Sequence, residues 1–324
     1  MRAAVYRSFG PPDVLRIEEV EKPTVAEDGV LVRVRATSVN PADWHALTGT
    51  PLVARIAFGM RGPKDPRLGT DFAGTVESVG AAVTNFKVGE EVFGGAAGAF
   101  AEYVSVSQDR GIVSKPANVS FVEAGSVAVA GCTALQALRD HGHVQPGQRV
   151  LINGASGGVG TFTVQIAKAL GAHVTAVCST RNIETIRALG ADQVIDYAKE
   201  DFTRLGDPPY DVFVDIAGSR SWADCRRVLK PTARFVVVGG PKGNRLLGPV
   251  SRLVGIRLAS LGAKQRVAVF VASITGADLE FLQGLMEEEK LRPVIDKQYE
   301  LSRLGDAFRH LAEGHAKGKI AVTV

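Results

Sequence analysis

The sequence predicts an α/β fold in which a small β-rich domain is followed by a doubly wound parallel sheet. Three observations predict it. Residues 1 to about 120 read as short strands with glycine punctuation, and the chain after Pro116 alternates short apolar strands with amphipathic helices. A glycine-rich turn, NGASGGVG at 153–160, stands between the first of those later strands and the helix that follows. At 324 residues the chain is about twice the ~150 residues expected of one domain, which suits two.

Taken in order, strands are expected at 3–6, 15–20 and 30–39. In the last, Val30, Val32 and Val34 share one face, with Arg33 and Arg35 on the other. The run 74–94 continues the strand pattern, with Gly80, Gly89 and Gly94 where turns are needed. A long helix is expected at 122–140. Strand 150–153, helix 158–170, strand 173–178, helix 183–189 and strand 193–196 follow, then strand 211–215, helix 221–229 and strand 234–238. Such alternation implies parallel βαβ units covered on both faces. The last sixty residues carry one strong helix pattern at 278–290 and then short mixed elements. They are too few for a third domain and are expected to pack back on the first.

Composition excludes several classes. Hydrophobic residues make up 45% and charged residues 22%, which rules out a largely disordered or fibrous chain. The net charge of +4 is too small to make nucleic acid the main partner. Cys132, Cys178 and Cys225 lie far apart, which argues against a disulfide framework or a Cys-rich zinc site. The N-terminus alternates like a strand rather than a signal peptide, and the longest apolar stretch, 127–138, is too short for a bilayer. No membrane partner and a cytoplasmic location are therefore expected. Residues 225–277 hold ten Lys or Arg and no acid, so the remainder carries 28 basic against 34 acidic residues. Lys242, Arg245, Arg252 and Lys264 either steer an acidic substrate or, the preferred reading, pair with acids of that remainder.

The turn carries the clearest chemistry. Ala155, Ser156, Gly157, Gly158, Val159 and Gly160 contain the dinucleotide fingerprint with alanine in its first position. The chain must leave the strand tightly, let backbone approach a pyrophosphate at a helix N-terminus, and pack that helix against the sheet. This is a Rossmann pattern. Cofactors carrying a free ribose 2′-hydroxyl call for an acid about twenty residues on. Ser179, Thr180 and Arg181 stand there instead, and they can donate to a 2′-phosphate, which selects NADPH. Tyr197 can stack on or bond the adenosine end, or be a half-buried aromatic at a strand end. Gly239 and Gly240 let cofactor approach backbone, or form a left-handed turn.

Catalytic zinc needs roughly three converging N, S or O ligands. The six histidines, 45, 141, 143, 173, 310 and 315, form no such cluster with cysteine, so no metal is expected. Without a Lewis acid, conjugated acceptors are favoured over simple alcohols.

The segments SVNPADW at 38–44, LGTDFAGTVESVG at 68–80, VGEEVFG at 88–94, GAFAEYV at 98–104, AGCTALQAL at 130–138, LGADQVIDY at 189–197 and GHAKGK at 314–319 join the glycine turn in one resemblance. Together they make the chain similar to the zinc-independent medium-chain dehydrogenases/reductases, in the quinone oxidoreductase-like (zeta-crystallin-related) group. The resemblance implies a GroES-like β-barrel domain, 1–121 and 263–324, with a Rossmann NADPH-binding domain, 122–262, inserted in it. The nicotinamide is then expected in the cleft between them. It also implies a homodimer through the edge of the nucleotide-domain sheet, with 256–261 as the edge strand.

In zinc-dependent relatives a Cys ligand falls in the segment matching SVNPADW, and a His-Glu pair falls where Thr70-Asp71 stand. Asn40 and Asp43 match polar residues of the nicotinamide pocket, and Thr133 matches a threonine near the ring. His45 occupies the place of a substrate-facing tyrosine. The expected activity is hydride transfer from NADPH to a quinone or an α,β-unsaturated carbonyl, with Asn40, Asp43, His45 and Thr133 as the polar lining. His45 is a candidate proton donor or a hydrogen-bonded loop histidine. An NADPH-binding sensor with little turnover and a metal-free carbonyl reductase are the competing readings.

Overall fold

The computed structural model describes residues 1–206, 209–240 and 250–324. They form two compact units: Met1–Cys132 together with Ser273–Val324, and Thr133–Ala272. The crossings expected at 121/122 and 262/263 lie later in this division, at 132/133 and 272/273. Among the described residues, no helix is long and apolar enough to cross a membrane.

In chain order the strands are β1 Arg2–Val5, β2 Arg16–Glu19, β3 Gly29–Val39, β4 Asp71–Val79, β5 Glu91–Gly95, β6 Tyr103–Ser107 and β7 Ile112–Ser114. Then come β8 Arg149–Asn153, β9 His173–Cys178, β10 Gln193–Asp196, β11 Tyr210–Asp215, β12 Leu229–Val237, β13 Arg266–Val269, β14 Ile295–Glu300 and β15 Lys319–Thr323. The helices are α1 Pro41–Thr48, α2 Arg55–Phe58, α3 Phe121–Ala124, α4 Ala128–Gln136, α5 Gly158–Ala169, α6 Ile183–Ala188, α7 Trp222–Arg227, α8 Val250–Ala259, α9 Gly276–Glu287 and α10 Leu304–Glu313.

In the first unit a sheet runs β14-β15-β3-β4-β5-β7, with β6 also paired to β3. The C-terminal strand lies against the longest N-terminal one, Ile320 opposite Val39 and Ala321 opposite Ser38. On the other side of β3, Ala36 faces Ala73 of β4. Three strands distant in sequence thus end side by side. Helix α10 closes the apolar layer beneath them with Leu304, Ala307 and Phe308, and Gly314 ends it in a left-handed turn.

The second unit is a six-stranded parallel sheet in the order β10-β9-β8-β11-β12-β13. Strand order reverses between β8 and β11, and ligands of doubly wound sheets bind beyond the carboxyl ends at that point. Phe213 and Phe235 meet edge-to-face in its core, with Phe202 on one side and Trp222 on the other.

The structure corrects two expectations. The helix expected over 122–140 is interrupted. Ser120 and Glu123 cap α3, and Gly125 then lies so close to β3 that a Cβ would stand 2.6 Å from the Ala36 carbonyl. The chain restarts as α4, and its last turn, Ala137–His141, widens to π geometry. The segment 256–261, expected as an edge strand, is instead the end of α8 and the turn after it. Leu253 and Ile256 face the core at helical spacing, while Val254, Leu258 and Leu261 face solvent. The edge strands of the described sheet are β10 and β13.

Gly160 shows what the glycine turn demands. A Cβ there would lie 2.2 Å from the Gly154 carbonyl oxygen, whereas one on Gly284 of α9 would meet nothing within 4 Å. Gly160→Ala is expected to destabilise the protein by about 1–3 kcal/mol through overpacking. Gly284→Ala should stabilise it by about 0.5–1 kcal/mol. Chemical unfolding measures both, and equal signs for the pair would contradict this account.

Candidate active site

The first unit buries a polar cluster where β15, β3 and β4 end together. Asp71, wholly buried, is its centre. One carboxylate oxygen accepts from Ser38 Oγ (2.5 Å), Asn40 Nδ2 (3.0 Å) and Lys319 Nζ (3.2 Å). The other accepts the backbone N–H of Val129 (2.8 Å), in the first turn of α4. Lys319, equally buried, also donates to Asn40 Oδ1 at 2.5 Å. A charge is tolerated inside a protein only when paired and hydrogen-bonded, and these donors meet that condition.

Helix α1 starts from this cluster. Asn40 takes the N-cap position with extended backbone and Pro41 follows it, which suits the first helical residue. Asp43, also buried, accepts the backbone N–H of Asn40 at 2.9 Å and a longer contact of 3.5 Å from Thr70 Oγ1. Burial first, and the neighbouring Asp71 carboxylate second, push Asp43 up to about 7. The Asn40 hydrogen bonds and Lys319 pull the other way.

The expected residues therefore separate. Asn40, Asp43 and His45 come together on β3 and α1, while Thr133 lies half-buried on α4 and belongs to the other unit. Both amide protons of Asn40 are committed, to Asp71 and to the Ser38 carbonyl (3.3 Å), so Asn40 holds the cluster together. His45 is a hydrogen-bonded histidine, on a helix rather than a loop. Its Nδ1 lies 2.5 Å from the Thr50 carbonyl, which can only accept, so Nδ1 carries a proton and Nε2 is the ring nitrogen left for other contacts. Sequence reasoning missed Thr70, Asp71 and Lys319 as site residues. Thr70-Asp71 had stood out only for the ligands they replace, and Lys319 only as the end of a tail motif.

In the second unit, Gly154 takes φ +89° as the chain leaves β8, and Gly157 starts α5 with no side chain capping it. Ser156, Gly157, Gly158 and Val159 are half-buried, while Ala155 and Gly160 lie beneath them. An uncapped helix start without an acid in its first turn, behind a turn that glycine alone keeps low, fits a dinucleotide pyrophosphate. Behind it Asp215, wholly buried, accepts from Asn153 Nδ2 (2.8 Å) and the Gly218 N–H (2.9 Å) and pairs with Arg252 at 2.6 Å. Gly239 does not adopt a left-handed turn. What it allows is the close approach of two stretches of the chain's own backbone, since a Cβ would lie 2.5 Å from the Ile216 carbonyl.

Ser179, Thr180, Arg181 and Tyr197 gather beyond the paired ends of β9 and β10. Tyr197 is 56% exposed, so it is a presented ring rather than a half-buried one. The structure changes what Thr180 offers. Its hydroxyl donates to Asp196 at 2.5 Å, and that bond, more than any other contact, holds the Asp196 carboxyl below the usual range.

The basic stretch is partly accounted for. Arg227 pairs with Asp224, Lys230 with Asp211 and Arg252 with Asp215, so Arg252 is a structural charge rather than a steering one. Lys264 is exposed, and Lys242 and Arg245 lie outside the described residues.

With this geometry in place, comparison with known proteins is decisive. A quinone oxidoreductase of Triphysaria versicolor, named as chloroplastic, is 34% identical across 99% of this chain and 98% of its own. The chain belongs to the quinone oxidoreductase-like family of medium-chain dehydrogenases/reductases. It is an oxidoreductase. The alcohol dehydrogenase GroES-like domain family matches residues 26–117, and the zinc-binding dehydrogenase family matches 189–322. An NADPH-dependent alkenal/one oxidoreductase of Arabidopsis thaliana is 33% identical over 99% of this chain and 79% of its own length. The quinone oxidoreductase structure from Coxiella burnetii superposes with a TM-score of 0.86 at 32% identity, covering 100% of this chain and 99% of that one.

The cluster predicts its own stability effects. Asp71→Ala strands a buried ammonium and Lys319→Met a buried carboxylate, so each is expected to cost about 3–5 kcal/mol. An apolar pair replacing both should recover part of the loss. Chemical denaturation reads the three variants, and single losses below about 1 kcal/mol would show the pair to be solvated.

Proposed function

We propose that this protein reduces a quinone or an α,β-unsaturated carbonyl with NADPH and without a catalytic zinc. The observation that carries the reading is the buried Lys319 ammonium seated on Asp71 and Asn40. A divalent metal needs several anionic or neutral donors, and here the carboxylate is already shared by a fixed cation and three other donors. The donor set does not fit zinc. Conjugated acceptors spread the incoming charge through their own π system and do not need a Lewis acid. The names borne by the Triphysaria and Arabidopsis relatives support this acceptor class.

When bound, NADPH supplies the hydride. The residues from Gly154 to Gly160 hold its pyrophosphate, and Ser179, Arg181 and Tyr197 hold the adenosine end. Thr180, whose proton is spent on Asp196, accepts there rather than donates. On the acceptor side Asn40, Asp71 and Lys319 keep α1 and the start of β4 in place. Thr70 and His45 carry the polar atoms left over for substrate. Rate enhancement comes from orientation and from stabilising the developing oxyanion.

Purified protein should oxidise NADPH when given phenanthrenequinone or an enone, read as loss of reduced-nicotinamide absorbance. Tight NADPH binding with no acceptor-dependent oxidation would favour a sensor, and chelator loss with recovery on adding zinc would sink the metal-free reading. For the cofactor, Arg181→Ala should weaken NADPH about tenfold and NADH far less, the modest size following from an exposed guanidinium. Asp196→Asn removes a negative charge and should raise the NADPH-to-NADH affinity ratio. Fluorescence titration of both cofactors checks the pair, and a ratio unmoved by either change would contradict the assignment.

A further inference from the structure

The acid-base count of the first-unit cluster leaves one proton to be placed. Two buried carboxylates, Asp43 and Asp71, stand beside one ammonium, Lys319. With both carboxylates ionised, the interior would hold an unbalanced negative charge. The proton belongs on the carboxyl with fewer donors. Asp71 accepts from Ser38, Asn40, Lys319 and the Val129 N–H, whereas Asp43 accepts one backbone N–H and the long contact from Thr70. The groups facing Asp43 from the neighbouring elements are Asp71 of β4, Lys319 of β15 and Tyr6 just after β1. Tyr6 is pushed up to about 12, chiefly by burial, and so does not titrate in the working range.

We propose that Asp43 stores the proton that completes reduction of an enone, and that Thr70 passes it to the substrate. Thr70 is half-buried, and its hydroxyl is 3.5 Å from Asp43 Oδ1. With Asp43 protonated, the carboxyl O–H donates across this contact to Thr70 Oγ1 and leaves the threonine hydroxyl proton for substrate. The separation is of the kind that tightens when substrate binds. As the hydride reaches the β-carbon, the C=C electron pair moves toward the carbonyl oxygen. The Thr70 O–H bond then breaks and its proton joins the α-carbon or the enolate oxygen. In the same step the Asp43 O–H bond breaks and its proton replaces the one Thr70 gave up. Enone, NADPH and one proton become saturated carbonyl and NADP⁺, and Asp43 is left ionised to recover its proton from water. This inference rests on the hydride-transfer reading above.

With Asp43 pushed up to about 7, the protonated store is full below that pH and empties above it, so kcat for an enone should fall as pH rises through about 7. Thr70→Ala should lower kcat by about 10- to 100-fold with little change in KM and abolish the inflection. Thr70→Ser should restore both. In the protein alone, infrared difference spectra should show a carboxylic-acid carbonyl band that titrates near pH 7 and is missing in Asp43→Asn. Because Asp43 also caps α1, that variant can fail to fold, but Thr70 caps nothing and keeps the test decisive. A Thr70→Ala enzyme with the wild-type kcat and inflection overturns the inference, as does a protein without the titrating band. No acceptor-dependent NADPH oxidation by the wild type overturns the hydride-transfer reading and the inference with it.

Discussion

The buried Asp71 carboxylate is the constraint around which the first unit is arranged. It cannot be left without donors, and the four it has come from three places: Ser38 and Asn40 at the end of β3, Lys319 at the start of β15, and the backbone of Val129 at the start of α4. Satisfying one anion therefore docks the C-terminal strand and fixes where two helices begin. The gain is in placement rather than in net stability, since a buried ion pair seldom outperforms a well-packed apolar pair. An apolar substitute would hold the strands together with equal strength and would not say which backbone N–H lies opposite.

That arrangement also decides which side chains remain for chemistry. Asn40, a natural candidate to touch substrate, has both amide protons and its carbonyl engaged within the cluster. His45 has turned its proton toward the Thr50 carbonyl. Polar residues close to a site are often its scaffold, and only a count of donors and acceptors separates them from the reacting groups. The count leaves Thr70, half-buried at the edge of the cluster, with its hydroxyl turned toward Asp43.

What could be read from sequence was local. The glycine turn lies within eight consecutive residues, and the strand before it and helix after it are equally contiguous, so the strand–turn–helix unit and its place in a parallel sheet were legible. The SVNPADW segment placed Asn40 and Asp43 together for the same reason. Lys319 lies 279 positions from Asn40 and 248 from Asp71, and no periodicity links them; β-pairing alone makes them neighbours. The helix over 122–140 failed for a related reason. Side-chain spacing reports a helix face, but the break at Gly125 comes from a backbone approach to the Ala36 carbonyl. The edge strand at 256–261 came from the resemblance alone, and there the chain instead continues α8 with Leu253 and Ile256 at helical spacing.

The ribose end shows why a spacing rule can be satisfied and still mislead. Counting forward from the glycine turn finds no acid at the end of β9, which points to a site made for a phosphate. Parallel pairing, however, sets Asp196 of β10 opposite Cys178 of β9 and brings its carboxylate onto Thr180. An acid therefore does stand beside Thr180, supplied from the adjacent strand, with its charge tied down by the threonine hydroxyl and the Ala198 N–H. On the proposed reading, preference for a 2′-phosphate would rest on Arg181 outweighing a partly neutralised carboxylate. The same two-strand geometry makes Asp196, which the one-strand rule never considers, the residue that would limit the proposed preference.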